Sequence, residues 1–293
     1  MTSGPAEVFD LGYRGYEGER VGRAARRRAI WQDGVRISLG LGRGAGAKVA
    51  PWLLIGLALV PIVVLVVVSA FVDESAANPD DFELPSYAEY YDWAVVPLGL
   101  FAAVVAPLLL CPDRRDGVLA LYAARPITPT DYVASRWTAF LTVTLAVAWL
   151  PEAVLFAWNA LDASDPGEFL TDNWDVVPRF LAAGALVALV FTTLALVVSS
   201  FASRRAYAAV AMLAVVVIGG AVGGIAEDSF SGSLSDALTL ANLTQAQVDA
   251  VHWIFGDELD RPLPGWASFV WLVALTAALA IVLLRRTSRL VRG

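Results

Sequence analysis

Long apolar runs without a polar face dominate the chain. Six of them reach the roughly 20 residues that a helix needs to cross about 30 Å of hydrocarbon. They lie at residues 50–72, 93–111, 132–158, 176–200, 206–226 and 266–284. Stretches such as LLIGLALVPIVVLVVVSAFV have no polar face that water could solvate, whereas each helix of a soluble bundle needs one. The pattern predicts an all-α polytopic membrane protein with six transmembrane helices.

Composition agrees with a lipid environment. Of the 293 residues, 58% belong to the hydrophobic set and 17% are charged. Soluble domains have about 45–50% apolar residues, even with glycine counted, and about 25% charged residues. A disordered chain would be poor in the same apolar residues, and a single cysteine excludes a disulfide scaffold. We expect two parts, a cytoplasmic arm at 1–49 and a membrane domain at 50–293.

The basic residues predict the topology. The chain has 21 lysines and arginines. When the ends of the spans are counted with their loops, 19 of them lie with the terminal segments and the even-numbered loops, on one side of the predicted spans. Lys and Arg near span ends favour the cytoplasmic side, so both termini are predicted to be cytoplasmic. The other side carries two bases and 19 acids. The net charge of −7 disfavours nucleic acid as a partner, but it hides a basic inner face suited to anionic lipid.

The segment before the first span is expected to lie against the membrane. Residues 22–41 can form an amphipathic helix, with Ile30, Trp31, Val35, Ile37 and Leu39 among charged residues. A basic helix with tryptophan on its apolar side is typical of the headgroup layer. A flexible polybasic arm is the alternative. The 49 residues ahead of a long apolar run do not resemble a cleavable signal peptide, so the predicted location is the cytoplasmic membrane of a prokaryote.

The segment at 227–265, on the outer side, is too long for a simple connector. It predicts one or two surface helices. Ser235 or Asp236 would supply the N-cap. One helix face would carry Leu238, Leu243, Val248, Val251 and Ile254.

The loop at 112–131, between the second and third spans, combines charge, a short helix and two prolines. It reads PDRRDGVLALYAARPITPTD, where residues 118–124 can form a helix that Arg125-Pro126 ends. One interpretation is a stiff element that receives force from a soluble partner. The alternative is a solvated loop with a stop-transfer charge cluster.

With its flanking aromatic residue, this loop resembles that of the ABC-2 type transporter permeases, in particular the six-span branch that includes copper-site maturation and multidrug-type permeases. The resemblance extends over the whole chain through the span count, the N-terminal helix and the long last outer segment. The matching residues are Arg114, Arg115, Asp116, Gly117, Leu119, Leu121, Ala124, Arg125, Pro126, Ile127 and Tyr132.

The resemblance implies a permease subunit that pairs with a second, identical or homologous copy and is driven by a separate ATPase. It implies that the loop is the coupling helix, with Asp116 to Pro126 docking on the ATPase. ATP and Mg²⁺ would bind that partner, and this chain would bind no cofactor or metal. The glycine-rich stretch at 42–48 lacks the Gly-Lys-Ser/Thr ending of a phosphate-binding loop, so the chain is not expected to be an enzyme itself.

Glu152 is the only acid inside an apolar run. An ionisable residue within a span indicates function by default, because its burial is costly. It could line a substrate path, or it could sit near the outer interface, since it lies about 30 Å along the helix from Tyr132. Both interpretations stay open on the sequence alone.

Four glycines near the end of the fifth span form two overlapping small-xxx-small pairs, Gly219/Gly223 and Gly220/Gly224. Such pairs let helices approach closely. They indicate either a contact between subunits, or a gate, or ordinary packing within the subunit.

The expected function is that of an ATP-driven exporter's permease subunit. A mechanotransmitter or assembly scaffold that passes ATPase motion to an extracytoplasmic partner through 227–265 is the alternative. An intramembrane enzyme would need a nucleophile–base pair or a metal set, and the sequence offers neither.

Overall fold

A computed structural model describes residues 22–42, 44–71, 84–117, 127–229, 232, 235, 238–257 and 263–292. Within these ranges nine α-helices are described from end to end, and there is no β-strand. They are α1 (Arg23–Ser38), α2 (Gly46–Phe71), α3 (Glu89–Arg115), α4 (Pro129–Asp162), α5 (Pro166–Asp172), α6 (Val176–Phe201), α7 (Arg205–Ser229), α8 (Leu243–Phe255) and α9 (Gly265–Arg292). Six of these, α2, α3, α4, α6, α7 and α9, are long and apolar enough to cross a membrane, which confirms the predicted all-α fold with six span-length helices.

Three helices form the centre of the bundle. The most apolar windows of α3 and α6 are 78% and 72% buried, and that of α4 is half buried. The helices α2, α7 and α9 lie around them, with at most 22% of the corresponding windows buried. Their outward side chains, such as Leu53, Val210 and Val217, are apolar and more than half exposed. Surfaces of this kind are stable in lipid and would aggregate in water, which agrees with a multi-pass membrane protein.

Close packing holds the central helices together. Phe101 of α3 stacks on Phe140 of α4 with ring centroids 5.9 Å apart. Gly99 of α3 faces the ring of Phe191 in α6, where an added Cβ would lie 3.0 Å from the ring. The side chains of Phe101, Phe140 and Phe191 have at most 1% of their surface exposed.

The bundle has two polar ends, which we name after the helix that lies there. The α1 end holds α1, the last turns of α3 and α6, and the start of α4. The α8 end holds α8, the start of α3, and the last turns of α4. The helix α4 connects them, since its 34 residues extend about 51 Å. Its start is fixed by a capping box, in which Thr128 and Asp131 exchange hydrogen bonds, and by Pro129 in the first turn.

The predicted N-terminal helix is present as α1, and it packs on α4 and α3. Its fully buried stripe is Ile30, Gly34 and Ser38, whereas Val35 and Ile37 are only partly buried. A Cβ on Gly34 would lie 2.6 Å from the Cβ of Ala139, so the two helix backbones approach closely. The contact of α1 with the headgroup layer stays a prediction.

The segment at 227–265 contains the helix α8, and its position at the outer membrane surface stays a prediction. The N-cap is Asn242, whose side chain accepts a hydrogen bond from the backbone N–H of Gln245 at 3.2 Å. Ser235, one of the two expected caps, instead donates to the carbonyl of Ala226, and Asp236 lies outside the described residues. The helix ends at Gly256, whose φ of +91° is the left-handed conformation typical of a glycine C-cap.

Candidate functional site

The predicted coupling residues fall partly within the described chain. Arg114 and Arg115 form the last turn of α3, and Asp116 and Gly117 follow it. Gly117 has a φ of +68°, which favours glycine there and turns the chain away from the helix axis. The remaining coupling residues lie outside the described residues, namely Leu119, Leu121, Arg125 and Pro126.

A buried arginine joins the two ends of this loop. Arg136 of α4, with a side chain only 3% exposed, donates to Asp113 of α3 at 3.0 Å and to Asp33 of α1 at 2.7 Å. The hydroxyl of Tyr132 donates to the same Asp113 carboxylate at 2.6 Å, and the Arg136 guanidinium lies 5.7 Å from the Tyr132 ring centroid. We call Asp33, Asp113, Tyr132 and Arg136 the clamp. It fixes α1, α3 and α4 to one another beside the loop.

A second ion pair strengthens the α1–α4 contact. Asp131, the capping residue of α4, accepts a hydrogen bond from Arg23 at 2.8 Å and lies 3.7 Å from Arg27. The hydrogen bond with Asp131 raises the pKa of the Arg23 guanidinium. The basic residues of α1 therefore serve in part to dock this helix on α4.

The last turn of α3 also binds the ends of α6 and α9. Arg114 donates to the carbonyl oxygen of Ser200 at 2.7 Å, and Arg286 of α9 donates to the same oxygen at 3.1 Å. Cys111 is buried, with its thiol 3.7 Å from the carbonyl oxygen of Ser199. By contrast, Arg115 and Asp116 are exposed and pair with each other at 2.9 Å. Of the described coupling residues, these two and the exposed Gly117 are the ones a partner protein could reach.

Glu152 lies on the opposite half of α4 and is fully buried. Neither of its carboxyl oxygens has a hydrogen-bond partner among the residues that the structure describes. The hydroxyls of Tyr90 and Tyr91, in the first turn of α3, are also buried without a partner there. The two hydroxyls lie within electrostatic range of Glu152, so the three groups share one region of the bundle. We call Tyr90, Tyr91 and Glu152 the buried polar cluster.

A glycine of α6 makes room beside this cluster. A Cβ on Gly184 would lie 2.5 Å from the Trp149 ring and 2.9 Å from the Tyr91 hydroxyl. Any larger residue at 184 would displace both. The buried polar cluster therefore lies where α3, α4 and α6 meet, about 15 Å along α4 from its end at Asp162. Glu152 is shielded from solvent there, and both interpretations, a place on a substrate path and a place near the outer interface, stay predictions.

The α8 end is held by polar contacts above this cluster. The ring nitrogens of His252 lie 3.0 Å from Asp92 of α3 and 3.1 Å from Asp257. Asn159 of α4 donates to the Tyr87 hydroxyl at 3.0 Å, and the Tyr87 ring stacks on Phe255 of α8. Through these contacts α8 is tied to both α3 and α4. No group of three or more potential metal ligands occurs within the described ranges.

The two glycine pairs of α7 face different surroundings. Gly223 lies against the segment before α8, where an added Cβ would be 2.7 Å from the Cβ of Asn242, and Gly219 lies against Ala241. A Cβ on Gly220 would meet only the Asn242 side chain at 3.9 Å, and one on Gly224 would meet nothing within 4 Å. One pair thus serves packing within the chain, and the other faces outward.

The sequence pattern does not predict the clamp or the buried tyrosines Tyr90 and Tyr91. Arg136 is one of the 19 bases that predict the topology, and it lies inside the third apolar run, where a charged residue needs partners. That position was the available signal for a buried ion pair. Asp33 is 103 residues away from Arg136 in the sequence, so the sequence does not predict that these two residues pair.

The chain has no match among models of known protein families and no match among curated proteins.

Proposed function

We propose that the chain is the permease subunit of an ABC-2 type transporter, an exporter powered by a separate ATPase that docks on the loop at 112–131. The clamp is the observation that carries this proposal. Asp113 lies in the last turn of α3 and Tyr132 in the first turn of α4, on either side of the loop, and these two residues are hydrogen-bonded to each other. A push on the loop therefore moves α1, α3 and α4 as one body.

The helix α4 extends this motion through the bundle. It is continuous from Pro129 to Asp162 and carries both Arg136 and Glu152. Arg136 and Glu152 are 16 positions apart, which corresponds to about 24 Å along the helix. A movement applied at the clamp would thus displace the buried polar cluster relative to α6, which supports alternating access of a path that passes near Glu152.

In this mechanism ATP and Mg²⁺ bind the partner subunit, and a second permease copy completes the path. The groups that this chain offers the ATPase are the exposed Arg115 and Asp116 and the residues that follow them. The outward-facing glycines Gly220 and Gly224 are available for contact with the second copy.

Co-purification tests the docking assignment. A variant with Asp116, Leu121 and Arg125 all changed to alanine should lose its ATPase on affinity purification from cells, and transport in vesicles should fall at least tenfold. Membrane insertion should be unchanged, because none of the three belongs to the clamp. A matched variant at the α8 end, Asp172→Ala with Leu170→Ala, should keep both the ATPase and transport. Normal ATPase recovery and transport by the triple variant would refute the coupling role.

A mechanotransmitter is the second candidate, and the packing of α8 favours it. The helix α8 contacts α3, α6, α7 and α9, so it would respond to a shift of any of them. His252 of α8 contacts Asp92 of α3, and Asp92 belongs to the same helix as the clamp residue Asp113. An ATPase-dependent change in labelling of α8, in a reconstituted system that transports nothing, would favour this function over export.

A further inference from the structure

A basic cavity of about 450 Å³ lies at the α1 end, between the last turn of α3 and the start of α7. Its lining contains three arginines and no acid. The lining residues are Cys111, Pro112, Arg115, Ser203, Arg204 and Arg205. A cavity of this volume with a positively charged lining fits an anionic group such as a phosphate.

The arginines of this cavity are available to a ligand. Within the described part of the chain, Arg204 and Arg205 form no ion pair, and Arg115 pairs only with the exposed Asp116. The helix α7 begins at Arg205, so its first backbone N–H groups point to the same side and favour an anion as well. A smaller basic cavity between α1 and α4 is less suited, because its Arg27 already faces Asp131 at 3.7 Å.

Neighbouring aromatic residues place the cavity at the level of the lipid headgroups. Tyr207 is 64% exposed, with the Arg204 guanidinium 5.8 Å from its ring centroid. Phe201 is 55% exposed, with the Arg286 guanidinium 3.9 Å from its ring. Exposed aromatic rings beside arginines at the ends of span-length helices are typical of the membrane interface.

The surface that continues from the cavity is apolar. Tyr207, Val210, Val217 and Ile225 are each more than half exposed, and they follow one another along α7 from the α1 end to the α8 end. A ligand bound in the cavity thus meets guanidinium groups at one end and a hydrocarbon-like face at the other. A free phosphate would use only the first.

We propose that this cavity binds the phosphate headgroup of an anionic phospholipid whose acyl chains lie along α7. The guanidinium groups of Arg204 and Arg205 contact the phosphate oxygens, and Ser203 is placed to donate a further hydrogen bond. The site is independent of transport and would exist equally in a mechanotransmitter.

Native mass spectrometry of the purified full chain tests this site. The protein is titrated with phosphatidylglycerol and with phosphatidylcholine of the same acyl chains. We expect one phosphatidylglycerol to bind more tightly than any phosphatidylcholine. The double variant Arg204→Gln/Arg205→Gln should weaken that binding by about tenfold or more and leave phosphatidylcholine unchanged. The control Arg26→Gln/Arg36→Gln removes the same charge at the same end and should bind phosphatidylglycerol normally.

Several results would overturn the proposal. Equal weakening in both double variants would indicate general charge attraction. Displacement of phosphatidylglycerol by inorganic phosphate at the same concentration would indicate a site for a soluble anion. Loss of the ATPase without loss of lipid in the Arg204/Arg205 variant would assign the cavity to protein contact. If that variant does not fold, the single variants Arg204→Gln and Arg26→Gln are compared instead, and only the first should weaken phosphatidylglycerol binding; equal binding by the two would refute the site.

Discussion

At the scale of single residues, two of the buried ionisable groups of α4, Arg136 and Glu152, have opposite surroundings. Arg136 faces two carboxylates and a tyrosine ring, so the cost of removing its charge from water is largely offset. Glu152 has no hydrogen-bond partner within the described chain, although burial of an unpaired carboxyl costs several kcal/mol if it is ionised. A group that costs stability and is not compensated points to a role other than folding.

Replacing Glu152 should separate stability from function. Glu152→Leu removes an unsatisfied buried polar group, so the free energy of unfolding should rise by about 1–3 kcal/mol while transport falls at least tenfold. Glu152→Gln keeps the shape without the ionisable group and should also lose transport. Thermal unfolding and vesicle transport measure the two effects.

The exposed acid Glu168 in α5 offers the control for this substitution. Glu168→Gln changes the same chemistry at the same end of the bundle, outside the buried polar cluster, and should alter neither quantity. Wild-type transport by Glu152→Gln would show that an ionisable group at 152 is not needed, and would remove Glu152 from the path.

At the scale of elements, α7 is a helix with two faces. Gly219 and Gly223 allow the segment before α8 to lie directly on its backbone, while Gly220 and Gly224 turn outward. The sequence shows four glycines in two equivalent pairs, and packing alone distinguishes them. The inward pair therefore belongs to the subunit fold, and the outward pair is the one left for another molecule.

Matched alanine variants separate these two faces. Gly223→Ala and Gly224→Ala gain the same helix propensity, about 0.8–1.0 kcal/mol, so their difference reports packing. Gly223→Ala should be less stable than Gly224→Ala by about 1–3 kcal/mol, because its Cβ would lie 2.7 Å from that of Asn242. Thermal unfolding measures the difference, and light scattering shows whether either variant changes the oligomeric state. Equal stabilities would contradict the assignment of the inward face.

At the scale of the whole molecule, lipid determines which features can be read from the sequence. The spans can be predicted because a helix that crosses the hydrocarbon layer needs an apolar run of about 20 residues, and all six runs are helices in the structure. Hydropathy does not predict their polar first turns. The helix α3 begins at Glu89, which exchanges hydrogen bonds with Ser86, and α4 begins at Pro129, after its capping residue Thr128. The clamp and the buried polar cluster depend on which helices touch, and residues such as Asp33 and Arg136 carry no sequence signal of their pairing.

The charge pattern divides the molecule into a basic α1 end and an acidic α8 end, and it predicts which end faces the cytoplasm. Cysteine labelling can test this, because Cys111 is the only cysteine and Cys111→Ser gives a cysteine-free background. In that background Gln32→Cys and Arg36→Cys, at exposed positions of the α1 end, should react with a membrane-impermeant maleimide only after cells are opened. Ser164→Cys and Asp172→Cys at the α8 end should react on intact cells, because loops with few Lys and Arg face outward. The reverse pattern would invert the topology, and with it the side from which an ATPase could reach Arg115 and Asp116.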